Sequence, residues 1–183
     1  MHNTYTKKLI LRIPNMSRET VLILDEEFHT QWTLKTILES EKYIVLAVDS
    51  IKRALQNFKE FEVSSLITEY RVDHSQTPEI IRELKKSFPE LYVMMLTHEN
   101  LAEKEYEKIM RAGIDDFFLK PVSSEKILIH LRKGLKQRKI LLQKKRLEQK
   151  LNQINKINGN GREVASRKDH FSFNKSATVR LSE

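Results

Sequence analysis

The chain has 183 residues, 39% hydrophobic and 32% charged, with a net charge of +8. That length allows one domain of ordinary size plus extensions. The absence of cysteine excludes a disulfide framework and thiolate metal sites, and no apolar run approaches the roughly 18 residues of a membrane span.

Residues 1–18 read as an N-terminal extension, whose apolar part (Leu9 to Ile13) is short and broken by Arg12, unlike a secretory signal. VLILD (21–25) is a continuous apolar run ending in an acid, as expected of a central parallel strand buried on both faces. Glu27 to Ser40 has helical spacing through Phe28, Trp32, Leu34, Ile37 and Leu38. YIVLAV (43–48) is a second strand, and Ser50 is placed to cap the helix SIKRALQNF. VSSLITE (63–69) is a third strand, ending on Glu69. TPEIIRELKKSF then opens with Thr77 at an N-cap and Pro78 at the first helical position. LYVMMLT (91–97) is a fourth strand, followed by the helix LAEKEYEKIMRAG with Gly113 as its stop. DDFFLKP (115–121) holds a fifth strand, and a last helix starts near Ser123.

Five strands alternating with five helices imply an α/β fold, a doubly wound parallel sheet with right-handed crossovers. Chemistry in such sheets collects at the carboxyl ends of the strands. Those ends carry Asp25, Glu26 and Glu27, then Glu69, Thr97 and Lys120. Taken singly, each has an ordinary reading as a solvated loop residue or a cap. Taken together, the carboxylates repel one another and call for a cation. A hard ion such as Mg²⁺ takes oxygen ligands of this kind, and a lysine beside a hydroxyl suits the oxygens of a phosphoryl group.

In this pattern residues 19–135 resemble the receiver domain of bacterial two-component response regulators. VLILDEE resembles its first strand with the acidic pair, MMLTHEN carries its switch threonine at Thr97, and AGIDDFFLKP matches its Gly-to-Lys-Pro segment. The resemblance implies a flavodoxin-like (βα)5 sheet of order 2-1-3-4-5, followed here by a long C-terminal helix. It implies phosphoryl contacts from Thr97 and Lys120, a switch aromatic at Phe117 and a cis Lys120–Pro121 bond. It also implies Mg²⁺ held weakly by Asp25, Glu26, Glu69 and the backbone carbonyl of Arg71, and a sensor histidine kinase or other signalling protein as partner.

One departure bears on function. The family places its phosphoacceptor aspartate where this chain has Glu69; Asp73 replaces the usual proline, and Gln76-Thr77 replace an Asp-Gly pair. A glutamate reaches one methylene further, and a misplacement of about 1 Å costs on the order of 10²-fold in rate. Three readings follow: a phosphorylation-independent docking or dimerisation module, a domain held active-like by Glu69, or a receiver still phosphorylated at Glu69 or Asp73. The first two are preferred.

Residues 17–135 hold 17 basic and 21 acidic residues, whereas 136–156 hold eight basic and one acidic. Residues 136–157 read as a basic helical extension continuing the last helix. Ile140, Leu147 and Ile154 recur every seven residues, with Leu151 four after Leu147 and Lys144 at one seam position. A homodimer through this helix, the receiver face or both is expected. The charge also allows nucleic acid to bind, without a sequence-reading motif. Residues 158–183 are read as a disordered or docking tail, and the isolated His130 and His170 as surface residues. The expectation is a cytoplasmic signalling protein with no enzyme activity of its own. Alternatives are a conventional phosphorylated regulator and a DNA-associated one acting through 136–156.

Overall fold

The computed structural model describes the backbone of residues 19–98 and 100–169 and side chains up to Asn155. The N-terminal extension and the last part of the tail, with His170, lie outside the described residues. The chain divides into two units, Met1–Lys139 and Ile140–Glu183.

In the first unit, β1 (Thr20–Leu24), β2 (Ile44–Val48), β3 (Ser65–Glu69), β6 (Tyr92–Thr97) and β7 (Asp116–Leu119) form one parallel sheet of order β2-β1-β3-β6-β7. This is the expected 2-1-3-4-5 order. The helices between them are α1 (Phe28–Ser40), α2 (Ile51–Glu60), α3 (Thr77–Ser87), α4 (Glu103–Ala112) and the start of α5 (Ser124–Asp169).

Strand alternation divides the apolar residues between two cores. Leu22, Leu24, Leu66, Val93 and Met95 pack with Ala54, Phe58, Ile81, Leu84 and Ile109 of α2, α3 and α4. Val21, Ile23, Ile67, Met94 and Leu96 pack with Leu34 and Leu38 of α1 and Ile127, Leu131 and Leu135 of α5. The continuous hydrophobicity of these strands thus reflects burial on both faces. Gly134 lets α5 cross close to β6: a Cβ there would meet the Tyr92 ring at 2.2 Å. A mid-helix glycine costs about 1 kcal/mol relative to alanine, and here it removes a clash.

Several local expectations change. The helical spacing of α1 includes Phe28 and Trp32, but both are exposed, and only Leu34 and Leu38 of the helix are buried. Ser50 occupies the N-cap of α2 without a side-chain cap bond. Thr77 is the first residue of α3 rather than its cap; its hydroxyl donates to the Glu69 and Tyr70 carbonyls, at 2.7 and 3.2 Å. Gly113 does end α4, with φ +78°. The Lys120–Pro121 bond is cis.

Between β3 and α3 lies an unforeseen small hairpin, β4 (Arg71–Val72) paired antiparallel with β5 (Ser75–Gln76). Its two turn residues, Asp73 and His74, have φ of 52° and 58°. Two left-handed residues make the tight connection whose twist suits a hairpin. The helix α5 continues to Asp169, past residue 157, where the sequence reading begins the tail; the Asn158-Gly159-Asn160-Gly161 run does not end it.

Candidate functional site

Each strand of the central group delivers one polar residue to the carboxyl edge of the sheet. Asp25 follows β1, Glu69 ends β3, Thr97 ends β6 and Lys120 follows β7. The Lys120 backbone N–H donates to the Thr97 carbonyl at 2.8 Å, which extends the β6–β7 pairing and fixes where the lysine starts. Its side chain then turns into the crevice. Nζ lies 2.8 Å from Asp25 Oδ2, 2.7 Å from Glu69 Oε2 and 3.7 Å from Glu27 Oε2. The lysine side chain is only 7% exposed, against 4% for Asp25 and 16% for Glu69.

The remaining oxygens of this cluster are engaged. Asp25 Oδ1 accepts the Glu27 N–H at 2.9 Å, and Glu69 Oε1 accepts the Tyr70 N–H at 2.9 Å. Burial pushes the Asp25 carboxyl above its ordinary value, although Lys120 and the Glu27 N–H pull it down. Burial also opposes the charge on Lys120. Its hydrogen bonds to Asp25 and Glu69, with their negative charges, outweigh that, so the ammonium is raised above its ordinary value. Glu27, nearer solvent, is lowered, first by the Thr30 hydroxyl and then by Lys120 and His98. His98 Nε2 stands 3.6 Å from Glu27 Oε2 at the mouth.

Of the expected metal-binding acids, Asp25 and Glu69 converge on Lys120 and Glu26 turns elsewhere. Glu26 Oε1 accepts the Asp73 N–H at 3.2 Å, while Asp25 and Glu69 share Lys120. Arg71 lies in β4 with its guanidinium 3.6 Å from Glu105. Among the described residues no group of three or more His, Cys, Asp or Glu side chains is placed to hold a metal ion. In this arrangement the donor set does not fit Mg²⁺, because an ammonium sits between the two carboxylates the ion would need.

Asp73 has a different task from the one sequence reading offered it. Its carboxylate accepts the N–H of Ile51, the first residue of α2, at 2.8 Å. It therefore satisfies an end-of-helix donor from outside the helix. With its own N–H on Glu26, Asp73 ties the loops after β1, β2 and β3 together. Sequence offered no signal for this, because an Asp-His turn lacks the glycine that marks most tight hairpins.

A second set of bonds joins the hairpin to α4. The hydroxyl of the buried Tyr70 donates to Glu105 Oε1 at 3.2 Å, and Lys108 Nζ reaches Gln76 Oε1 at 3.0 Å. Glu105 also closes the start of α4 by accepting the Ala102 N–H at 2.9 Å. Thr97 is fully buried. Phe117 packs against the core and meets Tyr106 edge-on, with ring centroids 5.5 Å apart. Beside the cluster a groove of about 620 Å³ runs between α1 and the start of α5, with Leu34, Ile37, Val122 and Ile127 along it and Lys120 at one end.

His130, expected at the surface, is half-buried. Its Nδ1 lies 2.8 Å from Asp116 Oδ1, and the Tyr92 hydroxyl donates to the other oxygen of that carboxylate. Burial, then Asp116, raises the Tyr92 hydroxyl above its ordinary value. This set fastens α5 to the sheet.

Comparison with known proteins agrees with this fold. The family described as response regulator receiver domain matches residues 21–132. The two-component response regulator ORR5 of Oryza sativa subsp. japonica is 33% identical over 105 residues, covering 56% of this chain and 78% of that protein. A response regulator receiver domain protein from Methanospirillum hungatei JF-1 superposes with a TM-score of 0.64 at 20% identity, covering 67% of this chain and 98% of the other. A receiver domain protein from Clostridium thermocellum gives 0.62 at 25% identity, over 67% and 98%.

Proposed function

The chain belongs to the response regulator receiver family of two-component signalling, and from that premise we propose that it is an atypical receiver that signals without being phosphorylated. The observation that carries this reading is the Lys120 ammonium held between Asp25 and Glu69, 2.8 and 2.7 Å away. Receiver domains generally bind Mg²⁺ at the phosphorylation site. Here the extra methylene of glutamate carries its carboxylate onto Lys120, so the lysine offsets part of the negative charge that Mg²⁺ would otherwise offset. The buried Thr97 and the core-packed Phe117 favour an arrangement held active-like by Glu69. Asp73, engaged with Ile51, is a poor substitute acceptor.

Receiver domains act on histidine kinases or other signalling partners. We assign that contact in this protein to the groove beside α1, which Phe28, 78% exposed, helps to line. An exposed aromatic beside an apolar groove is a common anchor of protein interfaces. The reading includes no enzyme activity and places the protein in the cytoplasm, which suits a chain without cysteine.

Mg²⁺ titration followed by calorimetry and Trp32 fluorescence tests the role of Lys120. Wild type should show at most weak binding at millimolar Mg²⁺. Lys120→Ala should bind at least about tenfold tighter, because removing a neighbouring positive charge favours a cation at the carboxylates. Tighter binding by wild type than by the variant would refute the reading.

A further inference from the structure

Two sets of apolar residues on α5 recur at regular spacing. Ile127, Leu131 and Leu135 are buried in the first unit. Ile140, Leu147, Leu151 and Ile154, in the second unit, are 53–66% exposed. At 3.6 residues per turn these four lie within about 60° of the helix circumference; Leu141, 52% exposed, and Leu142 stand off that arc in its first turn, and from residue 143 to 155 the stripe carries all the apolar side chains. A helix that packs on a globular core or lies on a membrane surface carries an apolar face of about 100° or more. A 60° stripe is the width of a two-helix seam with alternating spacings of four and three.

The seam has a charge signature. Lys144 stands at a seam position between Ile140 and Leu147, 3.9 Å from Glu148. Residues 140–156 hold five basic residues and one acid. In a parallel pair of identical helices Lys144 would face its own copy inside the seam, within two shells of like charge. Flanking charges and polar seam residues set partner choice in paired helices. Nucleic acid would use the charge but leave the four apolar side chains in water.

We infer that the α5 seam from Ile140 to Ile154 docks an acidic amphipathic helix of another protein, with carboxylates opposite Lys144 and along both flanks. This goes beyond the receiver reading and does not depend on the state of Glu69.

The test uses the full chain and two synthetic three-heptad peptides. Both have an Ile/Leu seam; one has Glu on its flanks and opposite Lys144, the other Lys. By fluorescence anisotropy at low salt the Glu peptide should bind at least about 30-fold tighter than the Lys peptide, with the preference falling as salt screens it. Leu147→Asn with Leu151→Asn should abolish binding; both positions are exposed, so the receiver should stay folded, as circular dichroism would show. Unchanged binding by that variant would reduce the contact to charge alone and overturn the proposal. So would a stable homodimer in sedimentation that the Glu peptide does not dissociate, or a DNA duplex that competes with the Glu peptide at equal affinity.

Discussion

At the scale of residues, the proposed function turns on one methylene. Glu69 keeps the charge of the family's aspartate, but its Oε2 ends 2.7 Å from Lys120 Nζ, and the pair is largely shielded from water. The pH dependence of stability should show this. The Lys120 ammonium is raised above its ordinary 10.5 by its carboxylate partners, despite burial. The folded state therefore holds that proton more tightly than the unfolded chain. Stability from this group is fully present below 10.5 and is lost as pH rises through the folded value. Asp25 works in the opposite sense: its carboxyl is raised above 3.8 by burial, so its ionisation costs stability as pH rises through the acid range. Urea unfolding across the alkaline range should show wild type losing more stability than Lys120→Met. Parallel curves would contradict the assignment. The cluster's members were legible in the sequence because each ends a strand or follows one. Their pairing was not, because side-chain reach is a tertiary matter.

At the scale of elements, the hairpin β4–β5 links several loops around the crevice. Asp73 at its turn caps α2 through Ile51 and engages Glu26 through its N–H. Asp73→Ala removes a cap worth about 1 kcal/mol and places alanine at positive φ, which adds about as much again. Asp73→Asn keeps an accepting oxygen and tolerates the left-handed backbone, so it should stay within about 0.5 kcal/mol of wild type. Equal denaturant midpoints for wild type and Asp73→Ala would remove the cap. The major elements could be read from apolar runs, from Pro78 and from Gly113. The hairpin could not: two-residue strands carry no periodicity, and the cap of α2 comes from 22 residues away. Ser50 and Thr77 were good cap residues by type, but other oxygens and other donors were nearer in the fold. Trp32 and Phe28 fitted a buried helix face by type and instead remain at the surface, Phe28 at the groove.

At the scale of the whole molecule, two units divide the work. The receiver unit holds an acidic crevice closed by its own lysine, and the hairpin joins that crevice to α4 through Tyr70 and Glu105. The second unit presents an exposed apolar seam amid basic charge. On the proposed reading the chain is a receiver whose crevice charge is already partly offset by Lys120 and whose output is contact. Incubation with acetyl phosphate and Mg²⁺, followed by intact-mass measurement, tests that claim most directly when wild type and Glu69→Asp are treated side by side. Wild type should gain no phosphoryl mass while Glu69→Asp does; wild type labelling as fully as the variant would contradict the unphosphorylated reading.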